Sequence, residues 1–452
     1  MTFASLGLFE PLLRALDTLG FDTPTPVQAK AIPPVLAGRD VLAAAQTGTG
    51  KTAAFALPLL QRLSQHGAPV EANGVRALVL VPTRELAEQV HQDIKAYAAG
   101  LPIKSLVAYG GVSINPQMMK LRRGVDVMVA TPGRLLDLHH QNAVRFDRLQ
   151  ALVLDEADRM LDLGFARELD ALFRMMPRRR QTLLFSATFS DAIREMADGI
   201  LNDALSIDIS PRNTAAQTVK QWLVPVDKKR KGELFLHLWH DRRWQQALVF
   251  AKTRKGVEQL TNELLEAGLS ADSIHGDKPQ PTRLRALQRF KAGEVQVLVA
   301  TDVAARGLDI EALPHVVNFD LPIVAEDYVH RIGRTGRAGS QGEAVSLVCA
   351  DEVQQLAAIE TLIGQVLPRR DEPDFIPDHR VPETTVGGQV LKKPKKPKQK
   401  LVPGSAASGN PRIHMGDLQA PAKPVVNAVR AMPGFGSKTP SKPAGKSPKK
   451  SR

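Results

Sequence analysis

Cysteine is all but missing: Cys349 is the single one among 452 residues. A lone thiol excludes an intrachain disulfide and a zinc site of the multi-cysteine kind, and it suits a reducing compartment. Long apolar runs are missing too. None approaches the ~18 uncharged residues of a membrane span, and the amino-terminal segment with Leu8, Leu12, Leu13, Leu16 and Leu19 is amphipathic, with neither a basic lead nor a cleavage site. A soluble, cytoplasmic chain is expected. Acids are missing from one stretch: residues 391–452 hold 15 Lys and Arg against Asp417 alone, a net +14 that leaves −1 for the rest of a chain of net +13. With 10 prolines, the opening Lys392-Lys393-Pro394-Lys395-Lys396-Pro397-Lys398 and no apolar period, this stretch is expected to stay extended and disordered. It suits a polyanion-binding arm, or else a solvated tail that aids solubility.

What remains is ordinary globular material, 43% hydrophobic and 24% charged, long enough at about 150 residues per domain for two domains beside the tail. Short apolar runs recur as candidate buried parallel strands at 41–45, 77–81, 125–130, 151–154 and 182–185, and again at 246–250, 295–300, 315–319 and 344–349. Amphipathic stretches such as 255–267 and 282–290 lie between strands. Alternating strands and helices imply parallel sheets, with the chemistry in the turns that follow the strands. The stretch from Ser206 to Lys220, with Pro211, Arg212 and Asn213, reads as a linker. The expected organisation is α/β: a first domain over 1–208, a linker at 209–220, a second domain over 221–368, and a basic tail over 369–452.

Two clusters carry chemistry. Ala45-Gln46-Thr47-Gly48-Thr49-Gly50-Lys51-Thr52 follows an apolar run and precedes the helical Ala53 to Leu57, which is strand, loop and helix with phosphate-loop spacing. Gly48 and Gly50 let backbone amides turn around phosphate oxygens, Lys51 can reach the outer phosphates, and the Thr52 hydroxyl can ligate magnesium. Ala45 stands where the first glycine is usual. About 100 residues on, Ala151-Leu152-Val153-Leu154 ends in Asp155-Glu156-Ala157-Asp158, as a neighbouring strand would present carboxylates to the same nucleotide. Asp155 then takes the metal role and Glu156 orients and deprotonates the attacking water. The alternative is a helix cap with Asp155 satisfying amides.

Further ordered motifs accompany these: Phe21-Asp22-Thr23-Pro24-Thr25-Pro26-Val27-Gln28, Pro82-Thr83-Arg84-Glu85-Leu86-Ala87, Gly110-Gly111, Thr131-Pro132-Gly133-Arg134, Ser186-Ala187-Thr188, Val249 to Arg254, His275 to Arg283, Thr301 to Asp309 and His330 to Arg337. Over roughly residues 1–365 the chain resembles the DEAD-box RNA helicases, and within them the bacterial RhlE-type subgroup. The resemblance implies two RecA-like parallel-sheet domains in tandem, ATP and Mg2+. It gives Gln28 the adenine edge and Phe21 the base face, with Phe3 as the isolated upstream aromatic; residue type alone places Phe21 in the core and Gln28 at the surface. Gln46, Thr47, Gly48, Thr49, Gly50, Lys51 and Thr52 hold the nucleotide, Gly307 and Asp309 meet it from the second domain, and Arg334 and Arg337 close on the γ-phosphate. Ser186 and Thr188 link hydrolysis to strand separation, with hydroxyls that can bridge to Asp155 and Glu156. Arg84, Gly111, Thr131, Arg134, Arg254, Gly276, Arg283 and Thr301 touch RNA. Pro279 and Pro281 beside Gln280 depart from the family pattern and stiffen the start of the next helix.

The activity implied is ATP-dependent separation of short RNA duplexes or remodelling of RNA-protein complexes. Its partner is structured or duplex RNA, held largely without sequence reading, in ribosomal precursors or the RNA-decay machinery, and no membrane. Only 5% of residues are aromatic, which argues against recognition by base stacking. No Asn-Lys-x-Asp guanine signature is present. The alternatives are a DNA translocase and an RNA clamp or chaperone acting mainly through the tail, against which the intact Glu156, Arg334 and Arg337 speak.

Overall fold

The computed structural model describes residues 1–45, 48–65, 70–209, 219–305, 310, 313–336 and 342–391. Seven parallel strands, β1 Val41–Ala44, β2 Val75–Leu80, β3 Ser105–Ala108, β4 Val125–Ala130, β5 Ala151–Leu154, β6 Gln181–Ser186 and β7 Leu205–Asp208, form a first sheet in the order β3-β4-β2-β5-β6-β1-β7. Six more, β8 Lys220–Pro225, β9 Ala247–Phe250, β10 Ala271–Ile274, β11 Val297–Ala300, β12 His315–Asn318 and β13 Glu343–Val348, form a second parallel sheet in the order β10-β11-β9-β12-β13-β8. Two RecA-like lobes result. In β2 every residue is buried: Ala77 and Val79 pack into the core on one face, Leu78 and Leu80 into the core on the other. Parallel strands covered on both faces need continuous apolar runs, which is the pattern seen in the sequence.

At the amino terminus the helix Glu10–Thr18 buries Leu12 and Leu16, while Leu19 beyond its end is exposed. Phe3, the isolated upstream aromatic, lies in the first lobe's core. Of the stretch from Ser206 to Lys220, Ser206 to Asp208 pair with β1 and Lys220 opens β8; residues 210–218 lie outside the described part.

Residues 369–391, assigned above to the tail, belong to the second lobe. Leu223 N donates to Pro368 O and Arg370 N to Leu223 O, each at 2.9 Å, so the chain caps the open edge of β8. Arg242 and Arg370 lie over the Trp222 ring at 4.8 and 4.5 Å, and Leu367, Phe375 and Val381 enter the core. A hairpin of β14 Glu383–Thr384 and β15 Val390–Leu391 follows. Composition hides this segment because only a few of its side chains are apolar. The basic residues 392–452 lie outside the described part.

Cys349, after β13, is buried, and its Sγ donates to Glu352 Oε2 at 3.2 Å. Burial pushes its pKa up, and Glu352 adds to that. No helix among the described residues is long and apolar enough to cross a membrane.

Candidate nucleotide and RNA sites

The carboxyl ends of β5, β6 and β1 lie side by side, and each carries part of one cluster. After β1 the chain turns through Gly48 and Gly50 at φ 79° and 88°, left-handed values that a side chain resists, and enters the helix Lys51–Gln65. Gln28 braces this loop. Its Nε2 donates to Gly50 O at 3.2 Å, its Oε1 accepts from Thr25 N at 2.9 Å, and Thr25 Oγ1 donates to Thr49 O at 2.8 Å. The capping box of the helix Pro26–Leu36 thus also fixes the phosphate loop. Residue type misplaces both members of this motif, for Gln28 is 4% exposed and Phe21 38%. A hydrogen-bonded amide costs little to bury, and the Phe21 ring, 6.3 Å from that of Tyr97, keeps surface on which a base can stack. Gln46 and Thr47 lie outside the described residues.

Lys51 Nζ is 3.8 Å from Asp155 Oδ1, both side chains nearly sealed from solvent, and the ammonium has no hydrogen-bond partner among the described residues. An unbonded buried cation is costly. A phosphate oxygen would supply what it lacks. Burial pushes Asp155 up to about 6, against the pull of Lys51, so that carboxylate favours a cation beside it. These two demands fit a nucleotide phosphate with a divalent ion, for which Asp155 and Thr52 have the oxygen ligands. Asp155 Oδ1 also accepts from Glu156 N at 3.0 Å.

Glu156 precedes the helix Ala157–Asp162 with φ 55° and ψ 52°, a left-handed backbone uncommon for a residue with a side chain and typical of constrained sites. Burial alone would raise its pKa, but Arg159, Lys51 and Arg334 outweigh that and hold it at about 2. Glu156 therefore stays ionised and is a weak base, suited to orienting a water by accepting its hydrogen bond. The expected bridge from Ser186 and Thr188 to Asp155 and Glu156 is replaced by another. Asp158 Oδ2 accepts from Ala187 N at 3.0 Å, Thr188 N at 3.1 Å and Thr188 Oγ1 at 3.3 Å, while Ser186 Oγ donates to Thr188 O at 2.8 Å. The fourth residue of the acidic run, which faces β6, is the one within reach.

The other half of the first sheet's carboxyl edge, β3-β4-β2, carries the expected RNA turns. Arg84 opens the helix Arg84–Tyr97, capped by Thr83 Oγ1 accepting from Leu86 N at 3.3 Å. Its guanidinium lies against Gly111, at φ 77°, where a Cβ would collide with it. Thr131 precedes the helix Pro132–His140, and Arg134 Nη2 donates to Val112 O at 2.8 Å, with Nε and Nη1 buried and without hydrogen bonds among the described residues. In the second lobe Gly276, Thr301 and Arg254 follow the carboxyl ends of the adjacent strands β10, β11 and β9. Arg254 lies over Gly276, 3.6 Å from where a Cβ would sit, and pairs with Asp277 at 2.5 Å. Backbone, hydroxyl and arginine groups of this kind hold phosphates and sugars without reading bases.

Family comparison decides between the alternatives. Residues 25–196 match the DEAD/DEAH box helicase model and residues 230–339 the helicase conserved C-terminal domain model. The chain belongs to the DEAD/DEAH box helicases. This helicase is 43% identical over 370 residues to the ATP-dependent RNA helicase RhlB of Shigella dysenteriae, covering 81% of the chain and 88% of that relative. It is 41% identical over 372 residues to the DEAD-box ATP-dependent RNA helicase CshA of Geobacillus kaustophilus, covering 82% of the chain and 79% of that relative. Among solved structures it is similar to S. cerevisiae Dbp5 bound to RNA and ADP BeF3, with a TM-score of 0.73 and 31% identity over 82% of this chain and 96% of that one.

The helicase brings its lobes together through residues that motif reading gave other roles or none. Glu85 Oε1 accepts from Gln280 Nε2 at 2.7 Å and is 3.0 Å from Arg283 Nη2, and all three side chains are buried. Arg283, expected on RNA, thus has a protein partner. Pro281 sits in the first turn of the helix Gln280–Lys291, where proline is tolerated. Arg334 is buried and close enough to Glu156 to depress its pKa. Arg331, unassigned from sequence, binds Asp302 through Nε at 2.5 Å and Nη2 at 2.7 Å, and through Nη1 it reaches Asn318 Oδ1 at 3.1 Å and Asp320 O at 2.6 Å. It ties the turn after β11 to the one after β12. Gly307, Asp309 and Arg337 lie outside the described residues.

Proposed function

We propose that this DEAD-box, ATP-dependent RNA helicase opens short RNA duplexes locally, by closing two lobes, 1–208 and 220–391, on ATP and one RNA strand. The observation that carries it is Glu85: a carboxylate next to Arg84, in the first lobe's RNA turns, accepts from Gln280 and pairs with Arg283 on the second. RNA grip and lobe contact share one turn. Gln28 and Phe21 face the adenine, Lys51 and the loop through Thr52 hold the phosphates, and Glu156 orients the water. Mg2+, held by Thr52 and Asp155, would offset phosphate charge. Arg334, joined by Arg337, Gly307 and Asp309 on the family resemblance, brings the second lobe to the γ-phosphate, where an arginine acts only in the closed state. Arg84, Gly111, Thr131 and Arg134 with Arg254, Gly276 and Thr301 hold one strand across both lobes, and a strand bent there cannot stay in an A-form duplex. Loss of phosphate reopens the cleft, and the nucleotide acts as a switch on RNA affinity.

Within the family we place the chain in the RhlE-type subgroup, acting in the cytoplasm on structured RNA of ribosomal precursors or the decay machinery, on the sequence resemblance of residues 1–365. The test of the mechanism is RNA-stimulated ATP hydrolysis and strand displacement from a short duplex. Glu156→Gln is expected to keep ATP-dependent RNA binding while turnover falls by about 10² or more. Turnover near that of the wild type rejects the assignment.

A further inference from the structure

We propose that Arg159 is a positioning residue for hydrolysis, fixing the Glu156 carboxylate for the attacking water and forming the first lobe's share of the wall around Arg334. The inference rests on the role given to Glu156. Arg159 Nη1 is 3.0 Å from Glu156 Oε2 across the first turn of the helix Ala157–Asp162, with both side chains buried. The helix start is itself pinned, since Arg159 N donates to Asp158 Oδ1 at 2.9 Å, and Asp158 holds the Ser186 to Thr188 turn. The guanidinium thus reaches Glu156 from a fixed base.

The same side chain faces the other lobe. It lines a cavity whose other walls include Phe250, Asp302, Asp327, His330, Arg331 and Arg334. Its Nε is buried with no hydrogen-bond partner among the described residues, so Arg159 is not a saturated strut within its own lobe. Two guanidiniums, Arg159 and Arg334, act on one carboxylate from opposite lobes. Their mutual repulsion is offset by the negative charge between them, and a γ-phosphate adds to that charge. Removing Arg159 takes away the hydrogen-bonded fork that holds Glu156 on its own lobe, leaving the carboxylate to the pull of Lys51 and Arg334 and free to be drawn away from the water. Arg159 therefore keeps the carboxylate and the arginine finger in separate roles.

The test uses the full chain, with Arg159→Gln and Arg159→Lys each made alone and together with Glu156→Gln, measured as kcat and KM for ATP at saturating RNA. Arg159→Gln is expected to lower kcat by about 10- to 100-fold with KM for ATP and RNA affinity within about twofold. Arg159→Lys, which keeps the charge and loses the fork, should fall between that variant and the wild type. In the Glu156→Gln background, Arg159→Gln should cost less than about twofold, because two residues acting as a unit are not additive. Equal losses in both backgrounds, a wild-type kcat for Arg159→Gln, or a misfolded Arg159→Gln beside a fully active Arg159→Lys would each overturn the proposal. Wild-type turnover in Glu156→Gln alone would instead overturn the assignment beneath it.

Discussion

Gly50 turns at φ 88° with the Gln28 amide pressed against it, so an alanine there must strain its own backbone and displace Gln28 from Gly50 O. Left-handed backbone costs a residue with a Cβ roughly 1–2 kcal/mol, and about 1.4 kcal/mol is tenfold in affinity. Gly50→Ala is therefore expected to raise the KM for ATP about tenfold or more, with the fold intact by circular dichroism; an unchanged KM would show that Gln28 does not brace the loop. The same contact explains what could be read early and what could not. That Lys51, Asp155 and Glu156 lie together is legible from spacing along the chain, each at the carboxyl end of an apolar run. The burial of Gln28 is not, because its partner Gly50 lies 22 residues away, and a polar residue looks exposed until that partner is known. Arg331 escaped notice for a like reason, since Asp302, Asn318 and Asp320 are distant in sequence or separated by a strand.

Among the elements, the strands of the two parallel sheets that apolar runs failed to mark are β3, β7, β8 and β10, and these are the four edges of those sheets. An edge strand has one neighbour and one flank near solvent, so its residues mix polar with apolar. β10 is Ala-Asp-Ser-Ile, and β7 is Leu-Ser-Ile-Asp. Interior strands, covered on every side, read clearly. The edge of β8 is closed by residues 368–370, beyond the end of the matched family models at residue 339. Cutting the chain after residue 365 removes Leu367, Phe375 and Val381 from the core and uncovers that edge, whereas cutting after 391 does neither. At roughly 1.5–3 kcal/mol for each large apolar side chain, the shorter form should melt on the order of 10 °C lower and scatter light on warming, as open strand edges pair between molecules. The 1–391 form should melt with the full chain. Equal melting of all three would mean that residues 366–391 only rest on the lobe.

For the whole molecule, charge and catalysis are separated along the chain. The 15 basic residues of 391–452 follow a folded part of net −1, and every assigned site residue precedes them. Each one that displaces a counterion from single-stranded RNA adds roughly 0.7 to the logarithmic salt slope. Truncation after 391 is thus expected to weaken RNA binding most at low salt, flatten its salt dependence and raise the RNA needed for half-maximal ATPase, with the maximal rate nearly unchanged. Parallel salt slopes for the two forms would assign the tail to solubility or to a protein partner.

The one thiol in the chain is sealed after β13, bonded to Glu352, with its ionisation opposed by burial. Maleimide dyes react with exposed thiolates, so the folded chain is expected to remain dark to them and to take up one dye only when denatured. The native sequence is then its own blank for fluorescence. Cysteines introduced at the exposed Asp170 in one lobe and Glu266 in the other can carry a donor and an acceptor with no residue removed first, and the transfer between them would rise and fall with each turn of ATP.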